Sequence, residues 1–424
     1  MMDAMVAQED DVFEAMKDVV DPELGINVVD LGLVYGVSVE EGNIATIDMT
    51  LTSAACPLTD VIEDQTRAAL LQVVDDFRIN WVWMPPWGPD KITDDALSLS
   101  YDYRLGLKTS FTGKDLLFSR LRGGNMSDGS AFAGGLRKLD VAGMSGDTIK
   151  LDRLYYKFPV ADSLTAIVGP LARNTESLGM KPTAYTIKTL NIFGGQFGTG
   201  NVHNKETGGL VGLIWKQKVA KGQPKFTAAL NYVADQGEAN SSEKGMFTAE
   251  SQGNTTAQLG YGTKKWGAAL AYRYGQCGAK FGTGFASAQS CSGTKTVDSN
   301  NFAINGFWKP EEAGLIPSVS VGYGWSDLEG STVEELQTWM VGFQWDKVAG
   351  TKHAASFGFG TPTYVSAQEG ADPDEAEIAW EAALKLKVAD KITVIPSIFY
   401  LPETSQGAND TEQFGGVVQT VFKF

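Results

Sequence analysis

Three cysteines, two histidines and charges that recur at every second residue are the side chains of this 424-residue chain that could do chemistry. Cys56 stands before Pro57, and proline suits the first position of a helix, so Cys56 falls at the N-cap of an amphipathic stretch over 58–74. A thiol there meets unpaired N–H groups and the positive end of a helix dipole, which favour thiolate; Asp60, Glu63 and Asp64 oppose that effect. The pattern alone leaves a reactive thiol and an inert buried one both open. His203 and His353 lie far apart without ligand spacing, so no metal site is expected from them. The glycine-rich runs 194–200 and 357–360 carry neither a P-loop nor a dinucleotide fingerprint. No Ser/His/Asp or Cys/His arrangement can be assembled, and no enzyme is expected.

The repeating charges need an element of period two. In 99–111, Leu99, Tyr101, Tyr103, Leu105, Leu107 and Phe111 share one face, against Asp102, Arg104 and Lys108 on the other. The same alternation runs through 266–274, where it turns Arg273 inward, and through 336–345. Residues 376–388 are good helix formers, yet a helix would scatter their charges, whereas a strand puts Glu377, Glu381, Lys385 and Lys387 on one face. Arg120 and Arg122 share a face too, with Phe118 beside them. About sixteen such segments are expected: 99–111, 116–123, 147–157, 163–169, 184–193, 209–217, 225–234, 255–262, 266–274, 301–309, 317–325, 336–346, 354–361, 376–388, 391–400 and 413–424. No run of 18 apolar residues is available for a membrane helix. The only other structure that satisfies its backbone inside lipid is a closed barrel, and sixteen strands enclose a watery lumen. The expected fold is therefore an all-β transmembrane antiparallel barrel, with the inward charges lining a pore and biasing which ions pass.

The chain before this sheet differs in composition. It holds 4 of the 35 Lys+Arg and 20 of the 51 Asp+Glu, so 1–97 alone carries the net charge of −16 and the remainder is balanced. Such acidity argues against nucleic acid as a partner. Only 5 of the 48 glycines fall there. We expect two domains, 1–97 and 98–424. The first reads as a small α/β domain, with a helix over 11–20 capped by Asp10, a hairpin of 34–39 and 43–51, and the helix after Cys56. The start, MMDAMVAQEDDVFEAM, lacks the basic and apolar regions of a secretory leader.

Longer phrases add family resemblances. YDYRLGLKTSFTGKDLLFSRLRGGNM, YRYGQCG and FWKPEEAGLIPSVSVGYGWS resemble the cyanobacterial outer-membrane porins of the carbohydrate-selective porin family, over roughly 98–424. The resemblance implies an outer-membrane channel for small solutes, inorganic ions or carbohydrates, without a cofactor, surrounded by lipid; a homotrimer and a monomer both fit. The end QFGGVVQTVFKF, with Phe422 and terminal Phe424 on one face, is similar to many barrel C-termini and implies recognition by barrel-insertion machinery. DPELGINVVDLGLVYGV and MTLTSAACPLTDVIEDQ, within 9–95, resemble the SufT/PaaD-like iron–sulfur assembly factors. That implies Cys56 as the reactive or cluster-contacting residue, with Asp21, Pro22, Glu23, Asp30 and Thr52 as motif partners. One thiolate cannot hold a cluster, so a transient cluster is implied. An assembly factor is thus the alternative function. Finally, Cys277 and Cys291 both fall in the long, small-residue-rich stretch between Tyr274 and Asn301, expected to be an external loop. In oxidising surroundings they are expected to pair, stabilising the loop by about 3 kcal/mol and holding it against the pore mouth as a constriction.

Overall fold

The computed structural model describes residues 7–21, 27–40, 42–51, 59–82, 99–126, 139–141, 143, 145–276, 297–370, 373, 376, 378–401 and 413–423. The chain divides into two compact units, Met1–Ser100 and Tyr101–Phe424.

In the first unit, helix α1 (Glu9–Ala15) runs into a 3-10 turn, Met16–Asp18. The expected start shifts: Gln8, not Asp10, is the N-cap, because the Asp11 carboxylate sits three residues on and accepts the Gln8 amide at 3.0 Å. Strands β1 (Val34–Glu40) and β2 (Ile44–Met49) form the expected hairpin. Helix α2 (Thr59–Leu70) then crosses to β3 (Asp76–Trp81), which pairs parallel to β2 and which the sequence reading did not contain. Val12, Met16, Ile47, Met49, Ile62 and Leu70 are buried together as the core. Three of these come from the two helices' one apolar stripe each and two from alternate positions of β2, so pattern and packing agree.

The second unit is a single antiparallel meander. Its strands are β4 (Asp102–Thr109), β5 (Leu116–Gly124), β6 (Lys150–Ala161), β7 (Leu164–Arg173), β8 (Thr207–Lys216), β9 (Lys225–Asp235), β10 (Asn254–Gly262) and β11 (Trp266–Gly275). They continue as β12 (Asp298–Trp308), β13 (Ser318–Glu329), β14 (Val333–Trp345), β15 (Ala354–Gln368), β16 (Ala379–Ala389), β17 (Ile392–Leu401) and β18 (Gln413–Phe422). Each pairs with its neighbours in the chain, from β4 to β18, giving fifteen strands. The stretch 376–388 is a strand over Ala379–Ala389, as its charges required.

Burial is inverted relative to a water-soluble sheet. Leu270 is 58% exposed, while Ala269 and Ala271 beside it are 3% and 7%. Leu259, Val321, Tyr323, Trp325 and Ile398 are likewise exposed, whereas inward Asn301, Asn305, Ser320, Thr338 and Gln344 are buried. Large apolar groups outside and small polar groups inside are what a sheet surrounded by lipid requires. Outward aromatics pair across strands, Phe302 stacking on Trp325 at 4.7 Å and Phe226 meeting Tyr261 at 4.4 Å.

One expected strand is absent. Residues 184–193 belong to the connection between β7 and β8, which turns inward instead of adding to the sheet. Leu178, Ala184, Tyr185, Ile187, Leu190 and Phe193 are all buried, so apolar residues fall on both phases of what reads as an alternation. The fifteen strands are the remaining segments of the expected sixteen.

Candidate functional site

The inward segment, 174–206, is held by side chains that the strands aim at it. The Met180 amide donates to Gln258 Oε1 of β10 at 3.1 Å, the Ala184 amide to Ser320 Oγ of β13 at 2.8 Å, and the Thr186 amide to Gln344 Oε1 of β14 at 2.7 Å. Glu381 of β16 accepts the Tyr185 hydroxyl at 2.7 Å and the Leu190 amide at 2.6 Å. Arg273 of β11 donates through Nε to the Asn201 carbonyl at 2.6 Å and through Nη1 to Asn254 Oδ1 at 2.5 Å. Asn201 in turn donates to the Phe302 and Trp325 carbonyls, each at 3.0 Å. A single segment bonded to strands from β10 to β16 means that the sheet curls around it. Backbone amides that leave a sheet must find acceptors when buried, and these inward polar residues are those acceptors.

Glycines on the same wall make the room. A Cβ on Gly324 would come within 2.3 Å of Asn201 Oδ1, and one on Gly342 within 2.7 Å of the Tyr185 ring. These close approaches leave no room for a side chain at either position.

The strands β4 to β7 face a different chemistry. Register places Arg104 opposite Arg122 and Gly106 opposite Arg120. Asp102 ties the first pair, accepting Arg104 Nη2 at 2.8 Å and Arg122 Nη2 at 2.5 Å. Asp152 accepts Arg120 Nε at 2.5 Å and Arg153 Nη1 at 3.0 Å. Arg104, Arg120 and Arg122 keep 32%, 19% and 16% of their side chains exposed, whereas Arg153 keeps 1%. Behind them, Asp140 pairs with Lys205 Nζ at 2.7 Å and Lys188 Nζ at 3.4 Å, fastening 139–141 to the inward segment. Burial acts against the Asp140 carboxylate, yet the two lysines hold it well below the usual range. Burial pushes Lys205 down to about 8 against the pull of Asp140.

The expected site residues thus separate. Asp102, Arg104, Arg120 and Arg122 converge on one wall, with Lys108 further along β4 and exposed. Arg273 and Glu381 do point inward, but they are fully enclosed by the segment and anchor it; they do not line open space. Lys385 and Lys387 lie toward the end of β16, exposed, with Lys387 3.6 Å from Asp390. Phe422 is 60% exposed on the outward face. Asp21 is buried, and Asp30 accepts the Asn27 amide side chain at 2.6 Å. Glu377, Phe424, Cys277, Cys291, Pro22, Glu23, Thr52 and Cys56 lie outside the described residues. The expected Cys277–Cys291 loop therefore lies outside the described residues, and 174–206 is the inward segment that they do show. Among them no three His, Cys, Asp or Glu side chains converge as a metal site. Asp140, Asp152, Arg153, Arg173, Lys188 and Lys205 also belong to this charged region and were not expected from the sequence. A bulge between Arg120 and Leu121 shifts the β5–β6 register, so period-two counting loses the phase just where Asp152 and Arg153 turn in.

Two classes therefore share the chain: a small α/β domain, and a lipid-facing antiparallel sheet folded around its own inward segment. Through its first unit the chain belongs to the iron–sulfur cluster assembly protein family, whose model matches residues 9–81. It is similar to the Fe-S protein maturation auxiliary factor YitW of Bacillus subtilis, at 45% identity over 89 residues, which is 20% of this chain and 87% of that protein. It is also similar to the auxiliary factor SufT of Staphylococcus aureus, at 47% over 77 residues, 18% of this chain and 88% of that protein. A longer match, 24% identical over 354 residues and 77% of this chain, reaches the uncharacterized protein sll0772 of Synechocystis sp., of whose length it spans 63%. Among solved structures, OprB of Pseudomonas putida at high pH shares the fold, with a TM-score of 0.51 at 12% identity, covering 76% of this chain and 87% of that one.

Proposed function

We propose that residues 101–424 form an outer-membrane porin, a passive channel for small solutes and inorganic ions, with carbohydrates as the larger candidates. The observation that supports this most is the inverted sheet curled around 174–206. Lipid-facing apolar residues need a membrane, and an inward segment bonded to the wall narrows the space that such a sheet encloses. Traffic then passes between that segment and the charged wall of β4 to β7. No bond is made or broken in this reading, and no cofactor is used. Asp102, Arg104, Lys108, Arg120 and Arg122 face the conduit, while Arg273 and Glu381 fix its bore. Outward Phe422 with Phe424 serves insertion into the outer membrane, where a homotrimer is the assembly we favour. The test is to reconstitute the full chain into planar bilayers. Ohmic steps are expected; folded, membrane-inserted protein that leaves conductance at baseline would overturn the reading.

A second function rests on the family match of residues 9–81. We infer that the first unit handles an iron–sulfur cluster as cargo, with Cys56 as the transient thiolate contact and Asp21, Pro22, Glu23, Asp30 and Thr52 shaping its surroundings. Cys56→Ser should abolish cluster transfer to an apo-acceptor. Full transfer by the variant would remove Cys56 from that role.

A further inference from the structure

We propose that the conduit takes anions, and that Arg153 with Arg120 beside it forms a seat for an oxyanion; the proposal rests on the channel reading above. Across β4, β5 and β6, register sets Arg104 opposite Arg122 and Arg120 opposite Arg153. Like charges directly opposite one another destabilise a sheet unless counter-charge is supplied. Two carboxylates supply it here: Asp102 serves Arg104 and Arg122, and Asp152 serves Arg120 and Arg153. Arg173 at the end of β7, its Nε 3.4 Å from Thr207 Oγ1, adds a fifth guanidinium, and Glu176, which accepts the Tyr155 hydroxyl at 3.3 Å, a third carboxylate. Positive charge remains in excess.

Arg153 turns that excess into a site. Its side chain is 1% exposed, and only Nη1 is used, toward Asp152. Nε and Nη2 have no hydrogen-bond partner among the described residues. Those two N–H groups point the same way and form the planar fork that grips two oxygens of a carboxylate, phosphate or sulfate. A buried donor left unpaired is expensive, and the Arg120 guanidinium opposite it makes an anionic partner the natural one. Arg120, which shares Asp152 with Arg153 and is 19% exposed, joins the fork to the solvated side of the wall. A fork selects flat or tetrahedral oxyanions over chloride, because chloride offers one centre where the fork fits two. Phosphate, sulfate, nitrate and bicarbonate share that chemistry.

The test uses the full chain in planar bilayers with a potassium chloride gradient, then with sulfate added to symmetrical chloride. The zero-current potential should show chloride more permeant than potassium. That preference should fade as salt rises, since the screening length falls from about 30 Å at 0.01 M to about 3 Å at 1 M. Sulfate should reduce the chloride current saturably. Arg153→Lys keeps the charge but loses the fork, so the chloride preference should survive while the sulfate concentration for half block rises roughly tenfold. If that variant does not insert, Arg120→Lys, read the same way, carries the test. Lys218→Gln, at an exposed turn, is the control and should change neither reading. Potassium-selective channels, no sulfate block, or an undiminished block in Arg153→Lys would each overturn the seat. Absence of channels in the wild type would instead overturn the porin reading.

Discussion

Glu381 holds the inward segment with both oxygens, Oε1 taking the Tyr185 hydroxyl and Oε2 the Leu190 amide. Removing such an acceptor leaves buried donors unsatisfied, at roughly 1–3 kcal/mol each. Glu381→Ala should therefore loosen the segment and raise single-channel conductance with added flicker, whereas Glu381→Gln, which keeps one acceptor oxygen, should change it less. Equal, wild-type-like conductance in both would show that the segment does not depend on this anchor. His203 gives the same segment a dependence on acid. It is 1% exposed, its Nδ1 lies 2.8 Å from Thr199 Oγ1, and its ring meets Phe197 edge-on at 5.2 Å. Burial lowers its pKa to about 4 from the ordinary 6.5. Because the enclosed imidazole resists protonation, the stability it confers is complete above pH 6.5 and is lost as pH falls toward 4, to the extent of roughly 3 kcal/mol. Conductance should rise across that window, and His203→Gln should flatten the rise; an unchanged pH profile in the variant would exclude His203. Period two was enough to turn Arg273 and Glu381 inward. What they bind was not legible, because the partners Asn201 and Tyr185 lie in a segment far away in the chain.

At the scale of elements, alternation found the strands on both sides of the register shifts but kept the phase only where register is unbroken. Pairing runs without interruption from β8 through β14, and the segments expected there are the strands observed. Shifts occur between β5 and β6, β6 and β7, β7 and β8, and again between β14 and β15 and between β16 and β17. The first three enclose the basic wall, which is why Arg153 and Asp152 escaped a phase count. The stretch 184–193, expected as a strand, is not one for a related reason: its apolar residues fall on both phases, and several of its amides go to side chains. A side chain at Gly324 would collide with Asn201, the residue tied to β12 and β13. Gly324→Leu should displace the segment and widen the conduit, giving larger conductance and weaker exclusion of long sugars in liposome swelling. Unaltered swelling rates with a folded sheet would show that the segment stays put without that fit.

For the whole molecule, composition already divided the chain near Leu97, and the two compact units part at Ser100. The acidic α/β unit and the charge-balanced sheet ask for different surroundings, one water and one lipid. Full-length protein should fractionate with membranes and migrate faster on gels before heating than after, as a sheet of this kind resists detergent until boiled. Recovery in the soluble fraction without heat-dependent mobility would place the first unit in command of the chain's location. The alternation of the sheet has one more consequence, for how its sequence can drift. Inner and outer residues are separated by a single step along each strand, so inserting or deleting one residue in the unbroken run from β8 to β14 would present Asn, Ser and Thr to hydrocarbon and Leu, Tyr and Trp to the inward segment. Length changes there survive only in pairs or at turns, while the bulged strands β5 to β7 can absorb odd ones, leaving the arginine wall the freer half of the sheet to be remodelled.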